Sequence, residues 1–387
     1  MGDSPGPSSA PMPLLPLAHF LTHQHEMLDA LRQMVEMESP TTDKARVDRL
    51  GEWVSTQFEA LGGAVERIPQ TGAGDHWLIT WGSGDGGTLL LHHLDTVHAV
   101  GTIAETPWRL ESGRAYGPGA LDMKGGVAVT LGALQGLRAA GSPWSSPIRC
   151  LLTSDEETGS RTSRPIIEDL ARRHAWVLCL EPALPDGSLK TRRKGTGVFV
   201  LEATGRAAHA GNNPEAGVNA ILEMAHQIPR VHALAAPSHG TTVAVGVIEG
   251  GTRTNVVPEH CQVRIDVRAV EPEEQRRIEA GFAGLRPVLP GAQLATRGGW
   301  NRPPMTRTPA IAAAFERARR LGAALGFDLT EGGAGGGSDA NFVAALGAAV
   351  LDGLGPRGDG AHSSQEYVEV DSLAERAALL AALLTEG

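Results

Sequence analysis

Residues 77–80, 88–91, 148–152, 176–180 and 348–351 are short apolar runs, and stretches with helical spacing such as 125–140 separate them. A run without polar alternation is what a strand covered on both faces requires, and parallel strands need long crossovers between them. The pattern predicts an α/β unit built on a mostly parallel sheet. Upstream, Leu28, Leu31 and Val35, then Val47, Leu50, Val54 and Phe58, recur at helical spacing and predict surface helices over 25–35 and 44–61.

The texture changes near Gly195. Residues 197–204, 241–249 and 262–270 alternate apolar and polar side chains, the mark of half-exposed antiparallel strands, with helical stretches over 217–228 and 272–285 between them. Residues 192–303 are therefore read as an inserted α+β domain of ferredoxin-like type, a small sheet with helices on one side. The chain then returns to a helix over 309–325 and the run at 348–351, so the first domain is discontinuous, 19–191 and 304–387. A length of 387 residues is ample for two domains. Residues 1–18, with Pro5, Pro7, Pro11, Pro13 and Pro16, are read as a disordered leader without the basic start and apolar stretch of a secretory signal.

A formal charge of -10 and one dense basic run, Lys190 to Lys194, argue against nucleic acid as a partner. Cys150, Cys179 and Cys261 are odd in number and widely spaced, so they read as core thiols rather than a disulfide framework. Gly, Pro and charges break every apolar run before it reaches the length of a bilayer span. The expectation is a soluble, cytoplasmic protein with no membrane partner, and any metal in it must be held by His and carboxylates.

Such residues gather after the apolar runs. His93 and Asp95 follow 88–91, Glu156 and Glu157 follow 148–152, and Glu181 follows 176–180. The C-terminal edge of an open α/β sheet is where ligands bind, so these positions can meet in one crevice. Residues two apart on an extended segment share a face, which lets Asp95 brace the His93 imidazole and turns His92 away. Asp122 lies in a glycine-rich loop opening a helix, where a carboxylate would repel phosphate. Plainer readings fit each motif alone: a surface turn for His93 and Asp95, a helix cap for Asp122, a solvated acidic turn for Glu156 and Glu157, and an exposed loop carboxylate for Glu181.

In order along the chain, HHLDTV, GPGALDMKGG, SDEETGS, LEP, GRAAHAGNNPEAGVNAI, GGTRTNVVP, GGGSDAN and GAHSSQEYV together resemble the motif set of the M20 metallopeptidases. The resemblance is nearest to the glutamate carboxypeptidase branch, with acetylornithine deacetylase and succinyl-diaminopimelate desuccinylase as relatives. It implies a zinc-peptidase catalytic domain with two zinc ions, cobalt and manganese being alternatives for the same donors. His93 and Glu181 would hold one ion, Glu157 and His362 the other, and Asp122 would bridge them, with Glu156 as general base. It also implies a strained, cis bond from Asp122 to Met123.

The resemblance further makes the inserted domain a lid and a homodimerisation module, and gives His209 the role of a histidine that reaches the partner's site to stabilise an oxyanion. Asn255 matches a substrate contact. Arg268, and less directly Arg302, would grip a substrate carboxylate, and Gly335 to Asp339 match a substrate-side loop. Plainer readings remain here too: a loop histidine, a turn asparagine, structural ion pairs and a flexible linker. His92 stands where the family commonly has Gly, which leaves the packing there open, and the other histidines, His98 among them, read as ordinary surface or core residues.

The activity expected is cleavage of a peptide or N-acyl amide next to a C-terminal amino acid bearing a free α-carboxylate, glutamate foremost. The alternatives are an N-acyl amino acid deacylase of the same fold and, from another class, a catalytically silent binding protein.

Overall fold

The sheet that the apolar runs predict is six-stranded, in the order Ala64–Ile68, His76–Trp81, Ile148–Thr153, Thr88–His93, Trp176–Cys179 and Val350–Leu351. It is seen in a computed structural model that describes residues 14–141, 144 and 146–386. From Ile148–Thr153 to Val350–Leu351 neighbouring strands are parallel, while the first two pair antiparallel at one edge. Every residue of Thr88–His93 and Trp176–Cys179 is buried, whereas edge strand Ala64–Ile68 is exposed or half-buried. That contrast is why the inner strands read as unbroken apolar runs.

The helix Gly125–Ala139 contributes Val127, Val129, Leu131 and Leu134 to the core, and Val370–Thr385 contributes Leu373, Leu379, Leu380 and Leu383. Gly126 is required by close approach, because a Cβ there would lie 2.2 Å from the Leu180 carbonyl oxygen. The helix start is thus pressed onto the end of the strand preceding Glu181.

The chain divides into two compact units: Met1–Thr191 with Arg307–Gly333 and Ser338–Gly387, and Arg192–Thr306 with Ala334–Gly337. The glycine segment 335–339 is split between them. Residues 1–13 of the expected leader lie outside the described residues, and the rest of 1–18 is ordered, which corrects that reading. Leu14, Leu15 and Leu17 pack against the core and the helix Leu17–Thr22 buries Phe20, so apolar burial outweighs the break signalled by Pro16. The first unit also holds a small sheet that the sequence did not announce, ordered Gly358–Asp359, Tyr367–Glu369, Arg114–Tyr116 and Arg109–Glu111. Its strands are too short to show a period.

The second unit is a four-stranded antiparallel sheet ordered Thr242–Gly250, His260–Ala269, Gly195–Thr204 and Gln293–Arg302. Ala220, Met224 and Val231 of the helix Ala220–His232, and Ile278 and Phe282 of Pro272–Ala283, share one core with Leu201, Val263 and Ile265. The helix expected from 217 starts at Ala220 because Asn219 caps it, accepting from the Leu222 N–H at 3.0 Å. Strand Gln293–Arg302 went unread because it is mostly exposed and interrupted by Gly298 and Gly299. Cys150, Cys179 and Cys261 are buried free thiols, and burial pushes those of Cys150 and Cys261 up, away from reactivity.

Candidate metal centre

Three neighbouring parallel strands deliver five of the predicted residues, His93, Asp95, Glu156, Glu157 and Glu181, to one edge. His93 is the last residue of Thr88–His93, Glu156 and Glu157 begin a single 3-10 turn just past Ile148–Thr153, and Glu181 lies just past Trp176–Cys179. Asp122 stands in the turn before the helix Gly125–Ala139, and its peptide bond to Met123 is cis. His362, with a left-handed backbone at φ 64°, belongs to the loop between Gly358–Asp359 and Tyr367–Glu369.

The two oxygens of Asp122 face different partners. Oδ1 is 3.0 Å from His93 Nε2, a nitrogen that Glu181 Oε1 approaches to 3.5 Å. Oδ2 is 3.3 Å from His362 Nε2, which lies 3.4 Å from Glu157 Oε1. One carboxylate therefore stands between two imidazole–carboxylate pairs. Ligand atoms of His93, Glu156 and Glu181 lie within 4.8 Å of one another, as do those of His93, Asp122 and Glu157.

The charges respond to this crowding. Burial alone would raise the Asp122 carboxyl, but hydrogen bonds from His362 and His93 hold it well below the usual carboxylate range. Burial opposes a charge on His93, yet Asp122, Asp95 and Glu181 raise it well above an ordinary imidazole. Asp122 and then Glu157 push His362 up to about 11. Burial raises Glu157, with His362 working against it.

These donors fit divalent cations. Oxygen and imidazole nitrogen are the donors that zinc takes in the absence of thiolate. Apart from the 3.4 Å ion pair with His362 Nε2, Glu157 Oε1 is buried without a well-formed hydrogen bond, an acceptor that a cation would satisfy. His93 Nδ1 donates to the backbone oxygen of Asp95 at 2.9 Å, so an ion taking the place of the Nε2 proton would meet the nitrogen that faces Asp122 and Glu181. Asp95 is thus a brace, though chiefly through its carbonyl, its carboxylate Oδ1 being 3.5 Å from the ring. That carboxylate accepts instead from the backbone N–H groups of Glu156 and Glu157, at 3.2 and 3.1 Å, and from the Thr41 hydroxyl at 2.7 Å. It sets the turn that carries both glutamates.

Sequence reasoning placed Asp339 only in a substrate-side loop and missed the partnership of His98. Asp339 is buried beside His93, Glu156 and Glu181 in one small recess and accepts from the hydroxyls of Ser160 and Thr153. His92 is turned away as expected. Its ring is buried, Nε2 lies 3.2 Å from Thr130 Oγ1, and burial drives its pKa down to about 3, so it stays neutral. His98, read only as an ordinary surface or core residue, is half-buried and lies 2.7 Å from the buried Glu366 carboxylate. The only sequence signal for that pair was an acid four residues after His362 in GAHSSQEYV.

The second unit holds the remaining predicted residues. His209 is exposed, and its Nδ1 accepts from the N–H groups of Gly211 and Asn212, both at 3.1 Å, which leaves the proton on Nε2. Asn255 is exposed, and its carbonyl accepts from the Ala210 N–H at 3.0 Å. Arg268 forks onto Asp266 with both contacts at 2.8 Å, so the plainer ion-pair reading describes it as it stands. Arg302 is buried.

The profile of Peptidase family M20/M25/M40 matches residues 89–386. The chain is similar to carboxypeptidase G2 of Pseudomonas sp. (strain RS-16), 31% identical over 94% of this chain and 89% of that protein. It is 30% identical to acetylornithine deacetylase of Proteus mirabilis over 62% of this chain and 66% of that one. Among solved structures, aminopeptidase PepT of Bacillus cereus aligns over 94% of this chain and 98% of its own, with a TM-score of 0.73 and 22% identity.

Proposed function

The chain belongs to peptidase family M20/M25/M40, a metallohydrolase family, and from that premise we propose that it removes a C-terminal amino acid, glutamate foremost, from a peptide or N-acyl conjugate. The observation that carries the reading is the placing of the two Asp122 oxygens toward separate imidazole–carboxylate pairs, with Glu156 alongside.

His93 and Glu181 would hold one ion, His362 and Glu157 another, and Asp122 would bridge them. Two divalent cations, zinc by preference with cobalt and manganese as substitutes, would supply Lewis acidity to the scissile carbonyl and to the attacking water. Glu156 accepts a proton as the water oxygen bonds to the carbonyl carbon, then returns it to the amide nitrogen as the C–N bond breaks. Asp95 holds the backbone of that glutamate in place.

His209, with its proton on Nε2, is suited to donate to the developing oxyanion. We place it in the partner's site. Support comes from the second unit's exposed apolar residues Ile221, Leu222, Val247 and Ile248 on the helix Ala220–His232 and the edge strand Thr242–Gly250, a surface suited to a second copy of this chain. Asn255 and Arg302 are assigned to substrate contact. Arg268 could grip an α-carboxylate only after releasing Asp266. Mixing inactive Glu156→Ala and His209→Ala protomers should restore part of the activity, and no recovery after subunit exchange would exclude a histidine acting across the dimer.

Three buried free thiols fit a reducing cytoplasm, and among the described residues no helix is long and apolar enough to cross a membrane. Cell fractionation checks that location. The test of the reaction is a panel on the metal-loaded protein. N-acyl-glutamates should be cleaved faster than N-acetylornithine, and activity confined to the latter would favour the deacylase reading that the Proteus mirabilis relative supports.

A further inference from the structure

Glu366 has no ligand role above, yet it absorbs nearly every backbone donor of the loop that carries Asp122. Its carbonyl oxygen accepts from the Gly117 N–H at 3.2 Å. Its carboxylate accepts from Gly119 at 2.9 Å through Oε2, and from Leu121 at 2.8 Å and Asp122 at 2.9 Å through Oε1. Pro118 has no N–H, and Ala120 donates to the Gly117 carbonyl at 3.1 Å, so no backbone donor from Gly117 to Asp122 is left over. His98 Nε2 completes the set, donating to Oε2 at 2.7 Å.

The antiparallel pairing of Tyr367 with Tyr116 brings Glu366 opposite Gly117, and Glu366 itself lies four residues after His362. One buried carboxylate thus ties the segment bearing one imidazole to the loop bearing the shared carboxylate. A bridge between two ions tolerates little displacement, because each Asp122 oxygen must serve a different partner.

We infer that Glu366 is a positioning residue that fixes the Asp122 carboxylate relative to His362, with His98 holding Glu366 in place. The inference rests on the two-ion reading of the centre. In Glu366→Gln an NH2 group replaces one acceptor oxygen and opposes backbone N–H donors, leaving buried donors unpaired and the loop free to shift. Ion affinity should fall by roughly 10- to 100-fold.

The test is a cobalt(II) titration of the metal-free full chain, read by calorimetry and by the visible absorption bands. The unsubstituted protein should take two ions, and fewer would refute the two-ion reading, a different outcome from failure of the positioning role. Given two, Glu366→Gln should bind at least one ion more weakly, with altered bands. Unchanged affinity and bands, even with a lower melting temperature, would overturn the inference. Should that variant not fold, His98→Ala decides: a several-fold loss of affinity supports the role, and no change overturns it. Glu223→Gln is the control, because Glu223 accepts from the Val288 and Leu289 N–H groups in the second unit. It should lower stability and leave cobalt affinity alone, and an equal loss there would reduce the Glu366 effect to general destabilisation.

Discussion

Glu156 bears the proton transfer in the proposed reaction, and its removal separates catalysis from binding. Glu156→Ala should lower kcat by about 10²- to 10⁴-fold, while metal analysis still finds two ions per chain. An unchanged rate would remove it as the base. Asp95 shows how far single residues could be read in advance. The two-residue spacing identified it as a brace for His93, but its carboxylate bonds to the Glu156 and Glu157 N–H groups depend on two strand ends meeting 61 and 62 positions apart. His93, Asp122, Glu157 and Glu181 could be singled out because their residue types and motifs are local, and His362 was proposed only through the family resemblance. Glu366 was not singled out, since its partners His98, Gly119, Leu121 and Asp122 are supplied by pairing across the chain.

At the scale of elements, the inner strands were legible because burial on both faces leaves an unbroken apolar run, and the helix Pro309–Leu325 was read to its ends because Thr308 caps it, accepting from the Ile311 N–H. Gln293–Arg302 and the strands beside His362 were not, being exposed or very short. Asp75 shows how the edge elements are joined. Just before His76–Trp81, it binds Lys44 of the helix Lys44–Ala60, Arg67 of the strand Ala64–Ile68, and the Gln70 N–H. Burial would raise this carboxyl, but Lys44, the Gln70 N–H and Arg67 depress it to about 2. A depressed carboxyl contributes stability above its unfolded value of 3.8, and that contribution is lost as pH falls toward 2. Because Lys44 and Arg67 are partly exposed, its size is about 1 kcal/mol. Metal-free Asp75→Asn should accordingly be less stable than the parent at pH 6 and lose less on acidification to pH 2.5. Parallel denaturation curves at both pH values would exclude this anchor.

For the whole molecule, every proposed ligand lies in the first unit, so ions that bind only its folded form stabilise that unit. Chelation should shift only one of two calorimetric transitions if the units melt separately, by about 2.7 kcal/mol for each ion present at 100 times its dissociation constant. Movement of both transitions would mean that the units unfold together. A change of period near Gly195 led to the expectation of a second domain, whereas the grouping of residues 334–337 with the second unit had no such signal, because a glycine run carries no period.

His362 and Glu366 come from the loop between the strands Gly358–Asp359 and Tyr367–Glu369, although the other ligands have all been made by residue 181. During synthesis a nascent polypeptide would therefore carry an incomplete chelate between the addition of residue 181 and that of residue 362. Ribosome-stalled chains ending before residue 360 should retain no second ion after passage through a chelating resin, and retention would show that maturation does not wait for the tail. The order in which the ribosome delivers these side chains would then keep the site short of its second ion until residue 362 has been added.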